Sequence, residues 1–405
     1  MADSSLTIAQ QEFRKSVRLF AREHLSTARD TYSLATSASQ WQERFRSTKP
    51  IYQAAVAAGL LKAQIPAPLG GTSAGFVDMA LMVEELYSVD TSASLTILGT
   101  GLGLTPLIFG GTPELQKKFL APFLSGEGAP LASLVFSEPW GSANFADDSG
   151  EGFRTTAIWA TNCSGWDDRG ADLHCVVCRI PSSPRGVRSE VALLLVTRDD
   201  IAANEPQAYT VIEHPPTLGH TAVNGAHVRF TDLRVPKANL LAPPGAGASI
   251  VEATFTGSGA LVGAMAVGIM RQTFAAALNW AKTEKRGSNE YMIEKQSVAD
   301  LLVQIKTRLE ASRSLCRRAA AAFPHAKLGA ELCYQSKIFC SEAAVASVQD
   351  AINLVGVSAY RRDLPFAGLL EDAMVLPIFD GGNVGVRRRQ IEALMKQEDY
   401  DGLED

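Results

Sequence analysis

The residues best suited to chemistry sit near the end of the chain, in Leu376-Pro377-Ile378-Phe379-Asp380-Gly381-Gly382-Asn383-Val384-Gly385-Val386-Arg387-Arg388-Arg389. A single carboxylate, Asp380, follows an apolar run and precedes two glycines. A carboxylate so placed suits a poorly solvated position that backbone can approach closely. Burial raises a carboxylate pKa, and a nearby cation lowers it. Arg387 follows seven residues later, about two helical turns if a helix starts after the glycines. The pattern suits a general base with its own tuning cation. It also suits a helix N-terminus, with Asp380 as N-cap and the arginines on a solvated face. On local pattern alone the cap is the commoner arrangement, and both readings stand.

The elements that must position this stretch are legible in outline. The chain has 405 residues, 46% hydrophobic and 20% charged, with a net charge of −5. That is long enough for two or three domains and a large core. Short basic runs and a negative balance give no footprint for nucleic acid. No apolar run reaches the length expected of a membrane span, so no membrane partner is expected. The N-terminus shows no signal peptide pattern, and the C-terminus no lipidation or peroxisomal signal. Six sparse cysteines (Cys163, Cys175, Cys178, Cys316, Cys333 and Cys340) fit reduced thiols and a cytoplasmic location. Cys175-Val176-Val177-Cys178 lacks the second half of a zinc site, so no metal is expected.

Residues 1–130 read as a helical domain. Thr7-Ile8-Ala9-Gln10 is a capping box, and Phe13, Val17 and Phe20 follow at helical spacing. Ile51 to Ala58 and Asp78 to Tyr87 are further helices. Gly71-Thr72-Ser73-Ala74-Gly75 matches a hydrolase nucleophile elbow but lacks the preceding strand. Gly99, Gly101 and Gly103 imitate a dinucleotide fingerprint with the last glycine misplaced, and read better as helix packing points. Residues 131–242 carry short β-rich runs at Leu131–Phe136, Leu173–Ile180, Val191–Val196, Tyr209–Ile212 and His227–Phe230. They read as an antiparallel β domain. Residues 243–405 return to helix. Ile250 to Ala281 is rich in small residues, Val298, Leu302, Ile305, Leu309 and Cys316 mark one face of the next helix, a third runs from Leu328 to Val355, and a fourth begins near Gly382. This is a four-helix bundle. The fold class is α+β, mostly α.

Several runs, in chain order, resemble the acyl-CoA dehydrogenase flavoprotein family. Leu134-Val135-Phe136-Ser137-Glu138-Pro139, then Gly141-Ser142-Ala143-Asn144, resembles its flavin-binding signature. Phe230 to Pro236 resembles its exit from the β domain. Arg286-Gly287 with Lys295 and Gln296 resembles a segment that reaches FAD across a subunit interface. Gln349-Asp350-Ala351-Ile352-Asn353 resembles a helix end that touches a neighbouring subunit's FAD. The departures are informative. Asp380 replaces the usual Glu, Gly219-His220 replaces a glycine-tryptophan pair, and Ser258 looks like a serine set beside the carboxylate. These features resemble the nitroalkane-oxidising members of the family.

The resemblance implies FAD as cofactor, a nitroalkane and O2 as substrates, and a homotetramer. A nitro group acidifies its α C–H because the carbanion delocalises onto oxygen. Asp380 is then the general base, with Arg387 and Ser258 supporting it. The carbanion adds to flavin N5 with loss of nitrite, and an aldehyde or ketone and hydrogen peroxide follow. Leu134, Val135, Phe136 and Ser137 are expected to line the flavin ring. Ser142, Ala143 and Asn144 are expected near the pyrophosphate, and Trp159, Ala160 and Thr161 over the ring. Gly382 is expected beside them. One departure cuts the other way. Arg154 to Ile158 runs straight into Trp159, so about a hairpin's length of the usual β domain is absent. An acyl-CoA dehydrogenase reaction, or a flavin-poor structural member of the family, remains as an alternative.

Overall fold

The computed structural model describes residues 6–33, 41–138, 141–142, 156–157, 159–180, 190–287, 289–323 and 326–402. Ala143 and Asn144 lie outside the described residues, as does most of the segment before Trp159.

The N-terminal part holds α1 (Ile8–Phe20), α2 (Ala28–Ser33), α3 (Trp41–Ser47), α4 (Lys49–Ala57), α5 (Phe76–Tyr87), α6 (Thr91–Gly110) and α7 (Pro113–Leu124). The capping box forms: Gln10 N donates to Thr7 Oγ1, and Thr7 N donates to Gln10 Oε1. Asp90 caps α6 by accepting from Ala93 N at 2.8 Å. The glycines of α6 are packing points. A Cβ at Gly99, Gly101 or Gly103 would lie 2.5, 2.0 and 2.5 Å from Thr161, Gln64 and the Ser133 backbone nitrogen. Two adjacent carboxylates near the end of α5, Glu84 and Glu85, are buried. Arg14 and Arg18 of α1, and Arg271, Arg313 and Arg317 further along, converge on them. This network ties the first helices to the last ones.

The middle part holds β1 (Ala132–Val135), β2 (Thr156–Ala157), β3 (Leu173–Arg179), β4 (Val191–Thr197), the short α8 (Arg198–Ala202), β5 (Tyr209–Glu213), β6 (His227–Phe230) and β7 (Leu240–Ala242). One sheet runs β1-β3-β4-β7 and the other β2-β6-β5. The expected antiparallel domain is therefore mixed, because β1 pairs with β3 in parallel, Ala132 opposite Leu173. Parallel strands need a crossover connection, so the two are not joined by a hairpin. β2 and β7 are too short to show a periodic signal in sequence.

The last part holds α9 (Gly247–Thr283), α10 (Gln296–Ala322), α11 (Ala326–Val355), α12 (Phe366–Ala373) and α13 (Arg388–Met395). Val298, Leu302, Ile305, Leu309 and Cys316 are all buried, as their spacing requires. The fourth bundle helix is short: a π turn at Asn383–Arg387 runs into α13. One expectation is corrected. α6, α9 and the stretch Leu328–Tyr360 are long and apolar enough to cross a membrane by length and composition. Leucine, isoleucine, valine and alanine carry their mean hydropathy, with glycine, serine and threonine interspersed so that no single unbroken apolar run forms. In this fold the apolar windows of α6 and α9 are 67% and 83% buried, and that of Leu328–Tyr360 is 50% buried, against other protein elements.

Candidate active site

The turn after α12 places Asp380. Its backbone sits in the left-handed region at φ +51°, and Gly381 follows at φ +77°. An aspartate tolerates this conformation better than a bulky residue, at some strain. A Cβ on Gly381 would meet Arg387 Nε at 3.0 Å. The N-cap of the π turn is Gly382, with no side chain capping it. Asp380 is therefore not the cap, and the commoner of the two sequence readings is set aside. Arg387 is fully buried. Its Nη2 donates to Phe255 O and to the backbone oxygen of Asp380, both at 2.6 Å, and its Nη1 to Gln390 Oε1 at 3.0 Å. The guanidinium also lies 5.1 Å over the Tyr334 ring.

Burial pushes the Asp380 carboxyl above its usual range, against the Ser258 hydrogen bond and the fields of Arg387 and Lys337. Ser258, buried on α9, also reaches Phe255 O at 3.1 Å. Its single hydroxyl proton serves one acceptor at a time. The carboxylate opens onto a cavity of about 250 Å³. Phe76, Met79 and Val83 of α5, Leu95, Leu98 and Leu102 of α6, and Leu261 and Met265 of α9 supply apolar wall. Among the lining residues Asp380 carries the one ionisable side chain. Behind the wall, the Tyr87 hydroxyl meets His220 Nε2 at 3.3 Å, and His220 N donates to Asp372 Oδ1 at 2.6 Å. Burial lowers the His220 pKa, so it stays neutral while Asp372 pulls the other way.

The expected cofactor residues fall into two groups. The first lies at the cavity. Leu134 and Val135 are buried at the end of β1, and the Phe136 ring packs 4.7 Å from Phe255, one turn before Ser258. Ser137 follows, half-buried. Thr161 shares the cavity wall with Asp380. Ala160 is buried, while Trp159 stands 52% exposed at φ +62°. Asn162 anchors this segment: its N–H donates to Asn224 O and its Nδ2 to Thr96 O at 3.0 Å. Ser142 closes a local turn instead of pointing outward, donating to Phe136 O and accepting from Glu138 N. Gly382 adjoins Asp380 as the π-turn cap.

The second group is elsewhere. Arg286 donates to Ser358 Oγ and stacks 5.1 Å over Trp280. Lys295 pairs with Glu290 at 2.6 Å, and Gln296 donates to Asp300. Gln349 and Asn353 are exposed on α11, Asp350 pairs with Arg308, and Ala351 is buried in the local core with Trp280. Trp280 lies 22 residues along α9 from Ser258, about 33 Å at 1.5 Å per residue. Within one chain these residues do not meet Asp380.

Sequence reasoning missed Lys337, Asn383 and Tyr334. Lys337 is fully buried, and its Nζ donates to Asn383 Oδ1 at 2.8 Å. A signal existed: Cys333, Lys337, Cys340 and Ala344 fall on one helical stripe, so a charge occupies an apolar face.

Comparison with known proteins agrees with this geometry. Residues 7–127 match the acyl-CoA dehydrogenase N-terminal domain, and residues 245–395 match its C-terminal domain. The chain is 47% identical to a nitroalkane oxidase of Podospora anserina, over 98% of this chain and 97% of that one. It is 44% identical to a nitroalkane oxidase of Fusarium oxysporum, over 99% and 96%. A solved active-site Asp-to-Asn variant of nitroalkane oxidase, crystallized with 1-nitrooctane, superposes with a TM-score of 0.94 at 42% identity, covering 98% of this chain and 97% of that one. The chain belongs to the acyl-CoA dehydrogenase family.

Proposed function

We propose that the chain is an FAD-dependent oxidase of nitroalkanes, with Asp380 as the base that removes the α-proton. The observation that carries this is a half-buried carboxylate facing an apolar cavity, with a hydroxyl and a guanidinium behind it. The nitroalkane oxidase relatives, similar over nearly the full length, support the same reaction. The alkyl chain lies against the leucines of α6 and α9, and the nitro-bearing carbon lies toward Asp380. A raised carboxyl pKa makes a stronger base, which suits abstraction from carbon. Arg387 and Ser258 keep it ionised and fixed. Asp380 holds the proton it takes while the carbon is oxidised. Nitrite, an aldehyde or ketone, and hydrogen peroxide are the products, with O2 as the final electron acceptor.

The family consists of FAD-dependent flavoproteins, and the residues at hand fit one. The half-exposed Trp159 offers a flat apolar face two residues from Thr161, which lines the Asp380 cavity. The end of β1, Trp159, Ala160 and Thr161 would hold the flavin ring, and Ser142 and Gly382 stand close by. FAD supplies the two-electron oxidation. The second group of residues, Arg286, Lys295, Gln296, Gln349, Asp350, Ala351 and Asn353, would reach the FAD of another subunit in a homotetramer. Their distance from Asp380 supports that assignment. A sedimentation measurement tests it: an FAD-bearing monomer contradicts it. Six free thiols fit a cytoplasmic location.

Anaerobic mixing of the flavin-loaded protein with nitroethane and with butyryl-CoA tests the reaction. Bleaching of the flavin by nitroethane alone is expected. Bleaching by butyryl-CoA alone would assign the protein to thioester dehydrogenation instead.

A further inference from the structure

A second buried cation lies under the Asp380 turn. Lys337 is fully buried in the middle of α11. An ammonium has three protons to donate, and Asn383 Oδ1 takes one at 2.8 Å. The Asn383 carboxamide in turn donates through Nδ2 to Ser341 Oγ at 3.0 Å and to Glu342 Oε1 at 3.1 Å. Asn383 stands three residues after Asp380, on the same turn. An apolar side chain at this helix position would cost less than a buried amine. A buried charge kept in place needs a counter-charge, and half-buried Asp380 is the carboxylate of this turn.

The ionisable groups facing Lys337 come from several elements. Asp380 and Arg387 face it from the turn, and Glu342 from its own helix. Arg388 of α13 holds Glu342 at 2.7 Å. Tyr334 and Cys333 face Arg387, Ser258 of α9 faces Asp380, and Tyr87 of α5 feels Asp380's charge. The two fields on the pair are reciprocal: Asp380 favours the ammonium, and Lys337 favours the carboxylate.

We propose that Lys337 is a positioning residue for the base: it pins the Asp380 turn through Asn383, and its ammonium keeps the carboxylate ionised where burial opposes that. This rests on Asp380 being the base. Burial, the largest influence, and Arg387 together pull Lys337 down to about 7, against Asp380 and Glu342.

The variants K337M and K337Q test this, the second keeping a donor for Asn383 without the charge. In both, the acid limb of kcat/KM for neutral nitroethane moves up by about one pH unit. Flavin reduction by preformed nitronate, which needs no base, stays within about twofold. An unmoved limb in both variants overturns the proposal. So does a normal limb in K337Q alone, which would leave only a hydrogen bond, or a parallel loss with nitronate, which would mean general misfolding.

A readout without turnover separates this proposal from the functional reading. Between about pH 7 and pH 10 the unfolded lysine is protonated and the buried one is not, so stability rises with pH there. K337M and K337Q lose about one proton of that slope. D380N, by removing the counter-charge, starts the slope at lower pH. If nitroethane never bleaches the flavin, the functional reading fails while the melting profiles still decide the pairing. A slope whose onset D380N leaves in place overturns it.

Discussion

Arg387 Nη2 donates to the backbone oxygen of Asp380 at 2.6 Å and acts on the carboxylate through space. The same nitrogen donates to Phe255 O at 2.6 Å, so one guanidinium ties the turn to α9. This holds Asp380 at φ +51°, a backbone conformation that costs energy unless its surroundings fix it. The carboxylate is left free to face the cavity.

Replacing Arg387 by Met removes the positive field and leaves two half-buried carbonyl oxygens without this donor. The field of Arg387 favours the ionised base, so its loss moves the acid limb of kcat/KM to higher pH. At neutral pH, kcat/KM for nitroethane falls by about 100-fold, the scale of one misplaced catalytic group. Stopped-flow flavin reduction across pH measures both effects. An unchanged limb would assign Arg387 a purely mechanical role.

The apolar cavity predicts a chain-length series. Each methylene buried contributes about 0.8 kcal/mol. From nitroethane upward, kcat/KM therefore rises by up to about fourfold per methylene until the chain fills the cavity of about 250 Å³. A flat series measured under anaerobic reduction would place the alkyl chain elsewhere.

Asp90 predicts a pH effect on stability away from the site. Burial, against hydrogen bonds from Ala93 N and Tyr32, pushes its carboxyl up to about 6. A folded pKa above the unfolded value of about 3.9 means that its contribution is fully present below pH 3.9. It is lost as pH rises through 6. Asn is an equally good N-cap for α6. D90N should therefore flatten the fall in Tm between about pH 4 and pH 6, measured by thermal melting. An unaltered slope would contradict the assignment.

Glu85 predicts the opposite sign. Burial opposes its ionisation, but Arg18, Arg271 and Arg14 outweigh it and hold the carboxyl at about 2. Its stabilisation is present above the unfolded value of about 4.3 and is lost as pH falls through 2. E85Q takes a buried carboxylate away from the half-buried Arg14, Arg18 and Arg271 and costs about 3 kcal/mol at neutral pH. Denaturant unfolding measures it, and a loss below about 1 kcal/mol would show the network to be a surface-like pairing.

The sequence was readable where one element sufficed. The Thr7–Gln10 capping box and the Val298–Cys316 stripe depend on local spacing, and both stand as expected. The pairing of Asp380 with Arg387 was visible as a seven-residue interval. Its form was not, because the left-handed backbone and the grip on a carbonyl are set by Phe255 on a distant helix. Glu84 and Glu85 draw arginines from α1, α9 and α10, which no local window connects. The parallel pairing of β1 with β3 depends on a crossover, not on strand composition. The resemblance already assigned the cofactor residues to two subunits, and the length of α9 is what separates the two groups within one chain.

The central claim is that Asp380 is the base. The variant D380N, loaded with flavin and mixed anaerobically with substrate, tests it most directly. At least about a 100-fold loss of flavin reduction by neutral nitroethane is expected, with reduction by preformed nitronate retained within a few-fold. An equal loss with both substrates would contradict it.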